Sequence, residues 1–110
     1  MTQTLDLLQG TVDVLILKTL SWEPMHGYGI AKFVEQRSEG VLGVADAALY
    51  QALHRLERRG LIASEWGLSE NNRKAKYYHL TAAGRQQLRS EVSEIRRYVA
   101  ALFKVLEPAG

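Results

Sequence analysis

The sequence predicts a mainly α fold with a small β-hairpin, arranged as a winged helix-turn-helix that is followed by a C-terminal dimerisation helix. Two observations carry this prediction. Between Asp46 and Thr81 a short amphipathic helix ends at a glycine, and two strand-like segments joined by a polar turn follow it. After Thr81 a long helical segment repeats its apolar residues with heptad spacing. We therefore expect a winged helix-turn-helix domain over residues 1–81 and a dimerisation helix over residues 82–110.

The composition fits one compact domain. The chain has 110 residues, of which 46% are hydrophobic, and this is enough for a core. It contains no cysteine, which excludes disulfide bonds and thiolate metal sites and fits a reducing cytoplasm. No basic signal-peptide region follows Met1, and the longest apolar run, Val14–Leu17, is far too short to span a bilayer. We therefore expect a cytoplasmic protein that does not associate with membranes.

The first two helices are predicted from apolar spacing and from helix-breaking residues. The first is expected from about Leu5 to Trp22, because Pro24 disfavours helix just before it. A turn at Met25–Gly29 and a second helix over Tyr28–Arg37 follow. The middle of the first helix is apolar around nearly its whole circumference, so we expect a partner subunit to cover its outer side. The residues expected at this contact are Leu8, Val12 and Leu15.

The third helix is predicted to begin at Asp46, a good N-cap residue, and to stop at Gly60. Its leucines, Leu49, Leu53 and Leu56, share one face at steps of four and three. At 100° per residue the opposite face carries Ala47, Gln51, His54 and Arg58, with Arg55 on its flank. Burying the leucines therefore exposes a polar face.

That polar face has the properties of a DNA-recognition helix. An α-helix fits the major groove of B-DNA, and residues near its N-terminus reach base edges. Gln51 can pair with adenine through its amide, while His54 and Arg55 can reach guanine acceptors or phosphates. The alternative is an ordinary solvent-exposed helix face, which for any single residue is as good an interpretation. As a group beside a basic hairpin, these residues favour DNA.

Two antiparallel strands, Leu61–Trp66 and Ala75–Leu80, are predicted with a turn at Gly67–Lys74 between them. The turn has the composition of a wing. Arg73, Lys74 and Lys76 can neutralise phosphates or enter a minor groove, and Asn72 suits either the turn or a DNA contact. The negative Glu70 at the tip is expected to point away from DNA. A solvated charge cluster is the alternative interpretation.

The last helix is predicted to start at a Thr81 cap, although Gly84 in its first turn should weaken that start. Its apolar residues lie at steps of 4, 3, 4, 3 and 4, which predicts a dimerisation seam. The seam residues are Leu88, Val92, Ile95, Val99, Leu102 and Leu106.

No catalytic pattern is present in the sequence. The three histidines are too dispersed for a metal motif, and no nucleophile elbow, Walker or dinucleotide-binding pattern occurs. We therefore expect no enzyme activity, no metal and no cofactor. The aromatic residues Trp22, Trp66, Tyr77 and Tyr78 are expected to pack in the core or at a hinge rather than form a ligand cage.

Short motifs along nearly the whole chain resemble the PadR family of bacterial and archaeal transcription regulators. The motifs are Leu8–Thr11, His26–Ile30, Ala48–Tyr50, Leu53 with Leu56–Glu57, Gly60–Ile62, Tyr77–Tyr78, and Leu80–Thr81 with Gly84. The resemblance implies a homodimeric transcription factor, usually a repressor, that binds a pseudo-palindromic operator in double-stranded DNA. It also implies that Tyr28 and Tyr50 lie near the DNA backbone or in the interface that positions the recognition helix.

The single C-terminal helix resembles the smaller PadR subgroup. Some relatives respond to phenolic acids or drugs bound between the subunits, so the resemblance implies a small-molecule effector at the dimer interface. The seam of this chain has no tryptophan, unlike relatives that stack drugs on an aromatic of the last helix. A winged-helix module that binds protein rather than nucleic acid is the alternative function, and the basic residues of the third helix and the wing argue against it.

Overall fold

The computed structural model describes residues 10–108. The elements in chain order are α1 (Thr11–Leu20), β1 (Met25–His26), α2 (Gly27–Arg37), α3 (Asp46–Arg58), β2 (Ile62–Leu68), β3 (Lys74–Leu80) and α4 (Ala82–Leu106). The strands form one antiparallel sheet in the order β1-β3-β2. This arrangement confirms the predicted mainly α winged helix-turn-helix. No helix within residues 10–108 is long and apolar enough to cross a membrane.

The core lies where α1, α2 and α3 meet the base of the sheet. The apolar face of α3 packs against α1, and Ile62 and Leu80 close the core from the hairpin. The largest fully buried apolar side chains are Ile16, Leu17, Ile30, Leu49, Leu53, Leu56 and Ile62. Because the leucines of α3 are buried here, its polar face is turned outward.

Within the described residues, α1 ends earlier than predicted. It begins at Thr11, because Gly10 has a φ of 88°, in the left-handed region that interrupts a helix. It ends at Leu20, two residues before the predicted end at Trp22. The predicted start at Leu5 and the predicted contact at Leu8 lie outside the described residues.

The predicted turn at Met25–Gly29 is wrong. Met25 and His26 pair with Tyr78 and Tyr77 and add a third strand to the sheet. His26 then caps α2, because its Nδ1 accepts a hydrogen bond of 3.0 Å from the backbone N–H of Gly29. A strand of two residues is too short to show an alternating pattern, so β1 could not be predicted from periodicity.

α3 starts and ends almost as predicted, but its N-cap is Ala45 rather than Asp46. Asp46 lies in the first turn, where a carboxylate interacts favourably with the helix dipole. At the other end Gly60 has a φ of 74°, and the N–H groups of Gly60 and Leu61 donate to the carbonyls of Glu57 and Leu56. This Schellman motif turns the chain sharply into β2.

The start of α4 corrects the expectation for Gly84. The Thr81 hydroxyl accepts a 3.0 Å hydrogen bond from the Gly84 N–H, so the predicted cap is confirmed. Gly84 is buried, and a Cβ there would overlap the Leu61 carbonyl oxygen and lie 2.7 Å from Leu80 Cδ1. The glycine therefore allows α4 to approach the base of the hairpin, and its low helix propensity is secondary.

Two of the four aromatic residues expected in the core are not there. Tyr78 is buried, and Tyr77 is half-buried with its ring 3.3 Å from the point where a Cβ on Gly67 would lie. Trp22 and Trp66 are both more than half exposed. Trp22 carries Lys18 and Arg37 over its ring at 5.7 and 5.4 Å. The Trp22 indole therefore lies at the surface and makes cation–π contacts.

Candidate nucleic-acid interface

The polar face of α3 is the first component of the candidate interface. The structure brings together and exposes four of the residues predicted for DNA contact, which are Ala47, Gln51, His54 and Arg58. They follow one another along the side of α3 opposite the buried leucines. The face spans nearly the full length of the helix, so three polar side chains and one small residue are presented in a single row.

Arg55 lies apart from this row. Its Nη2 forms an ion pair with Oδ1 of Asp13 in the first turn of α1. The guanidinium is therefore directed towards α1 and already neutralised by a carboxylate. The sequence could not show this partner, because Asp13 and Arg55 are 42 residues apart.

The second component is an open groove of about 640 Å³ between the N-terminus of α2, α3 and the wing. Three exposed aromatic side chains line it, Tyr28, Tyr50 and Trp66, with exposed fractions of 69%, 53% and 63%. Tyr50 lies against the backbone of α2, since a Cβ on Gly27 would be only 2.7 Å from the Tyr50 hydroxyl oxygen. Gly27 thus allows α3 and the start of α2 to approach closely.

Cations are interleaved with these aromatics. Lys74 Nζ lies 5.1 Å from the centroid of the Trp66 ring, and Lys32 Nζ lies 5.9 Å from that of Tyr28. Arg73 also lines the groove. Alternating cations and exposed π-faces are suited to phosphates and sugars. Lys32 and Trp66 were not predicted as contact residues from the sequence. Trp66 lies opposite Lys76 in the hairpin register.

The wing tip is a five-residue turn, shorter than predicted because both strands extend further. Asn72 is exposed with a φ of 59°, a conformation that asparagine tolerates, and its N–H donates to the Ser69 carbonyl at 2.9 Å. The Ser69 N–H donates to the Arg73 carbonyl at 2.8 Å and closes the turn. Glu70 lines the groove instead of pointing away from it. The tip thus brings one carboxylate in among the basic residues.

Lys76 is directed towards α3. Its Nζ lies 3.4 Å from Oε1 of Glu57, and the Ser64 hydroxyl donates to Oε2 of the same carboxylate. The hydrogen bond from Ser64, together with Lys76, lowers the pKa of Glu57 below its ordinary value of 4.5 against the opposing effect of burial. Burial raises the pKa of the neighbouring Tyr78, whose ring lies 5.6 Å from the Lys76 ammonium. Lys76 therefore has an internal partner at neutral pH.

The predicted dimer-interface residues fall into two groups. Leu88 belongs to the chain's own core, and Val92 and Val12 pack against that core. Leu15 is half-buried. Further along α4 the seam is open, with Ile95, Val99, Leu102 and Leu106 exposed by 40%, 39%, 40% and 62%. The outer half of the helix thus carries an apolar row that no described residue covers.

The fold and the site define a winged helix-turn-helix protein with an exposed polar helix face beside a basic hairpin. The Transcriptional regulator PadR-like family matches residues 16–90. The chain belongs to this family, whose members are DNA-binding regulators and not enzymes. The predicted resemblance is therefore confirmed.

Solved structures agree with this assignment. A transcriptional regulator from Clostridium thermocellum superposes with a TM-score of 0.82 at 27% identity, over 90% of this chain and 93% of that one. A PadR family transcription regulator from Clostridium difficile gives a TM-score of 0.77 at 33% identity, over 89% and 100%. Bacillus subtilis PadR in complex with operator DNA shares the fold, with a TM-score of 0.68 at 21% identity over 77% of this chain and 48% of that one.

Proposed function

We propose that this chain is a cytoplasmic, homodimeric transcriptional repressor that binds a pseudo-palindromic operator through α3 and the wing. One observation carries the proposal: the exposed polar row of α3 lies beside a groove that interleaves cations with exposed aromatic side chains. A row of polar side chains on a helix suits base edges in the major groove, and the groove suits the flanking sugar-phosphate backbone.

Base contacts are assigned to the row on α3. Gln51 lies in the N-terminal half of the helix, which enters the major groove deepest in helix-turn-helix proteins, and its amide can pair with adenine. The small side chain of Ala47 lets the helix approach the bases or a thymine methyl group. His54 and Arg58 follow on the same face and are assigned to bases and backbone respectively.

Backbone contacts are assigned to the groove and to the tip of the wing. The predicted residues in this set are Tyr28, Tyr50, Asn72, Arg73 and Lys74, and we add Lys32 and Trp66 because they line the same groove. The cations would neutralise phosphates, and the aromatic rings would pack against sugars.

The homodimer is proposed from the open seam of α4. Helices with an exposed a/d row pair in order to bury it, and two-fold pairing makes the two recognition helices symmetric. We assign this role to residues 82–110, with Val12 and Leu15 of α1 beside the partner. A two-fold dimer contacts two half-sites about 34 Å apart, so the operator should be pseudo-palindromic.

We also propose that a small-molecule effector bound at the dimer interface releases the repressor from DNA. An apolar groove of about 190 Å³ between α1 and α2 supports this, because Leu15, Trp22 and Phe33 line it. A phenolic acid is the probe, followed through Trp22 fluorescence in a Trp66→Phe variant. A probe that changes neither the fluorescence nor DNA binding would count against this class of effector.

The proposed function is tested by fluorescence anisotropy of a labelled random duplex at several salt concentrations. The slope of log affinity against log salt is negative, and each phosphate contact adds about 0.9 to its magnitude, which we call the salt slope. We expect Arg73→Ala and Lys74→Ala each to lower the slope by about that amount. Lys104→Ala is the matched control, because it removes an exposed charge from the last turn of α4. Absence of salt-dependent binding by the unmutated chain would favour the protein-binding module instead.

A further inference from the structure

The carboxylate of Glu57 joins three elements at one point. Glu57 lies in the last turns of α3, the Ser64 hydroxyl of β2 donates to it, and Lys76 of β3 forms an ion pair with it. We call these three residues the helix-wing bridge. The side chains of Glu57 and Lys76 are each about one-third exposed, so the bridge lies at the edge of the groove rather than in the core.

Glu57 lies on the flank of α3 opposite the one that contacts α1. Glu57 follows Tyr50 by seven residues, or two turns, so both lie on the flank of α3 that faces the groove. Arg55, which pairs with Asp13, lies about 160° away around the helix axis. α3 is therefore held to α1 on one flank and to the wing on the other, and its polar row lies between the two attachments.

The register of the hairpin shows what the bridge holds. Ile62 faces Leu80 in the core, Ser64 faces Tyr78, and Trp66 faces Lys76. These pairs share one face of the hairpin, which passes from buried at its base to exposed at Trp66. The helix-wing bridge acts between the buried base and the exposed tip, where apolar packing no longer fixes the strands.

We infer that Lys76 is a positioning residue that fixes the angle between α3 and the wing through Glu57, and that it does not neutralise a phosphate. This inference rests on the proposed function and assigns a different role to one residue predicted to contact DNA. The contrast is with Arg73 and Lys74, for which residues 10–108 contain no ion pair. All three cations line the groove, but only Lys76 is paired with a carboxylate of α3, whereas the Lys74 ammonium lies over the Trp66 ring.

The inference is tested by the salt dependence of binding to random duplex DNA. We expect Lys76→Ala to weaken binding by roughly two- to five-fold, the range of a partly exposed ion pair, without changing the salt slope. Lys74→Ala should lower the slope by about 0.9 under the same conditions. Glu57→Gln keeps an acceptor for Ser64 but releases the ammonium of Lys76. The slope should then rise by up to about 0.9, and the double variant Glu57→Gln/Lys76→Ala should lose this rise.

Two results would overturn the inference. One is a Lys76→Ala slope that falls by about 0.9 in the otherwise unmutated chain, because Lys76 would then contact phosphate directly. The other is a Glu57→Gln slope that does not change. Lys76→Gln replaces Lys76→Ala if the alanine variant fails to fold.

A measurement without DNA separates this inference from the proposed function. In ¹H–¹⁵N spectra of the chain alone, Glu57→Gln and Lys76→Gln should shift the same amide signals of the wing turn, Ser69–Arg73. Unchanged wing signals in both variants would refute the bridge whether or not the chain binds DNA. If both variants shift the wing signals but the chain shows no salt-dependent DNA binding, the helix-wing bridge is supported and the proposed function is refuted.

Discussion

Replacing Gly84 by alanine should lower the free energy of unfolding, although helix propensity alone predicts that it should rise. Gly84 lies in the first turn of α4, where alanine is favoured over glycine by up to about 1 kcal/mol. The structure predicts the opposite, because the new Cβ would overlap the Leu61 carbonyl oxygen. Leu61 is fixed by the Schellman motif and by the Thr81 N–H, which donates to its carbonyl, so this backbone cannot move aside cheaply.

The expected magnitude follows from these two opposing effects. Forcing an extra carbon into a packed site costs roughly 1–3 kcal/mol, and a rigid backbone neighbour favours the upper half of that range. After subtraction of the propensity gain, we expect Gly84→Ala to lower the free energy of unfolding by about 1–2 kcal/mol. For a chain of this size that loss corresponds to a fall in Tm of roughly 4–15 °C.

The assay is urea unfolding at one fixed protein concentration, because the proposed dimerisation would make the apparent stability depend on concentration. Ala83→Gly is the control. Ala83 is exposed in the same turn, so the exchange should cost no more than about 1 kcal/mol through propensity alone. A Gly84→Ala variant at least as stable as the unmutated chain would refute the packing argument.

Three further predictions address base contact, assembly and pH. Gln51→Ala should cost roughly 1–3 kcal/mol on the operator and relax preference at one base position; an equal loss on all single-base variants would assign Gln51 to the backbone. Ile95→Asp should dissociate or unfold the dimer, because it buries an unpaired charge in the seam, whereas light scattering that finds the unmutated chain monomeric would contradict the dimer itself. Glu57 has a lowered pKa, so its contribution to stability is present above pH 4.5 and is lost as the pH falls through the lowered value. In Glu57→Gln, the free energy of unfolding should therefore fall less steeply as the pH is lowered. An unchanged pH dependence would refute the contribution assigned to the Glu57 carboxylate.

The helices and the hairpin could be predicted because local patterns determine them. The leucines of α3 identify its buried face, and Gly60 marks its end through a backbone conformation that glycine adopts most readily. The Thr81 cap is equally local, since its acceptor and donor are three residues apart. β1 could not be predicted, because two residues form a strand only when β3 offers its edge.

The same distinction separates the features of the candidate site that could be predicted from the sequence from those that could not. The exposed row of α3 follows from helical periodicity, so Gln51 and His54 lie where the sequence placed them. Arg55 and Lys76 pair with carboxylates that are distant in the chain, and a count of basic residues cannot show which cations are paired in this way. Trp66 was not predicted at the site because its large apolar ring suggested packing in the core or at a hinge.

These pairings change how much salt should affect binding. The sequence alone offered five cations for phosphate contact, Arg55, Arg58, Arg73, Lys74 and Lys76. The structure pairs Arg55 and Lys76 with carboxylates and adds Lys32 as a candidate, so four candidate phosphate-binding cations remain per subunit within residues 10–108 and eight in the proposed dimer. At about 0.9 per contact, the dimer should bind its operator with a slope near −7, against about −11 if the two paired cations also met phosphates. Anisotropy titrations across a salt series distinguish these values, and a slope near −11 would mean that DNA breaks both internal ion pairs.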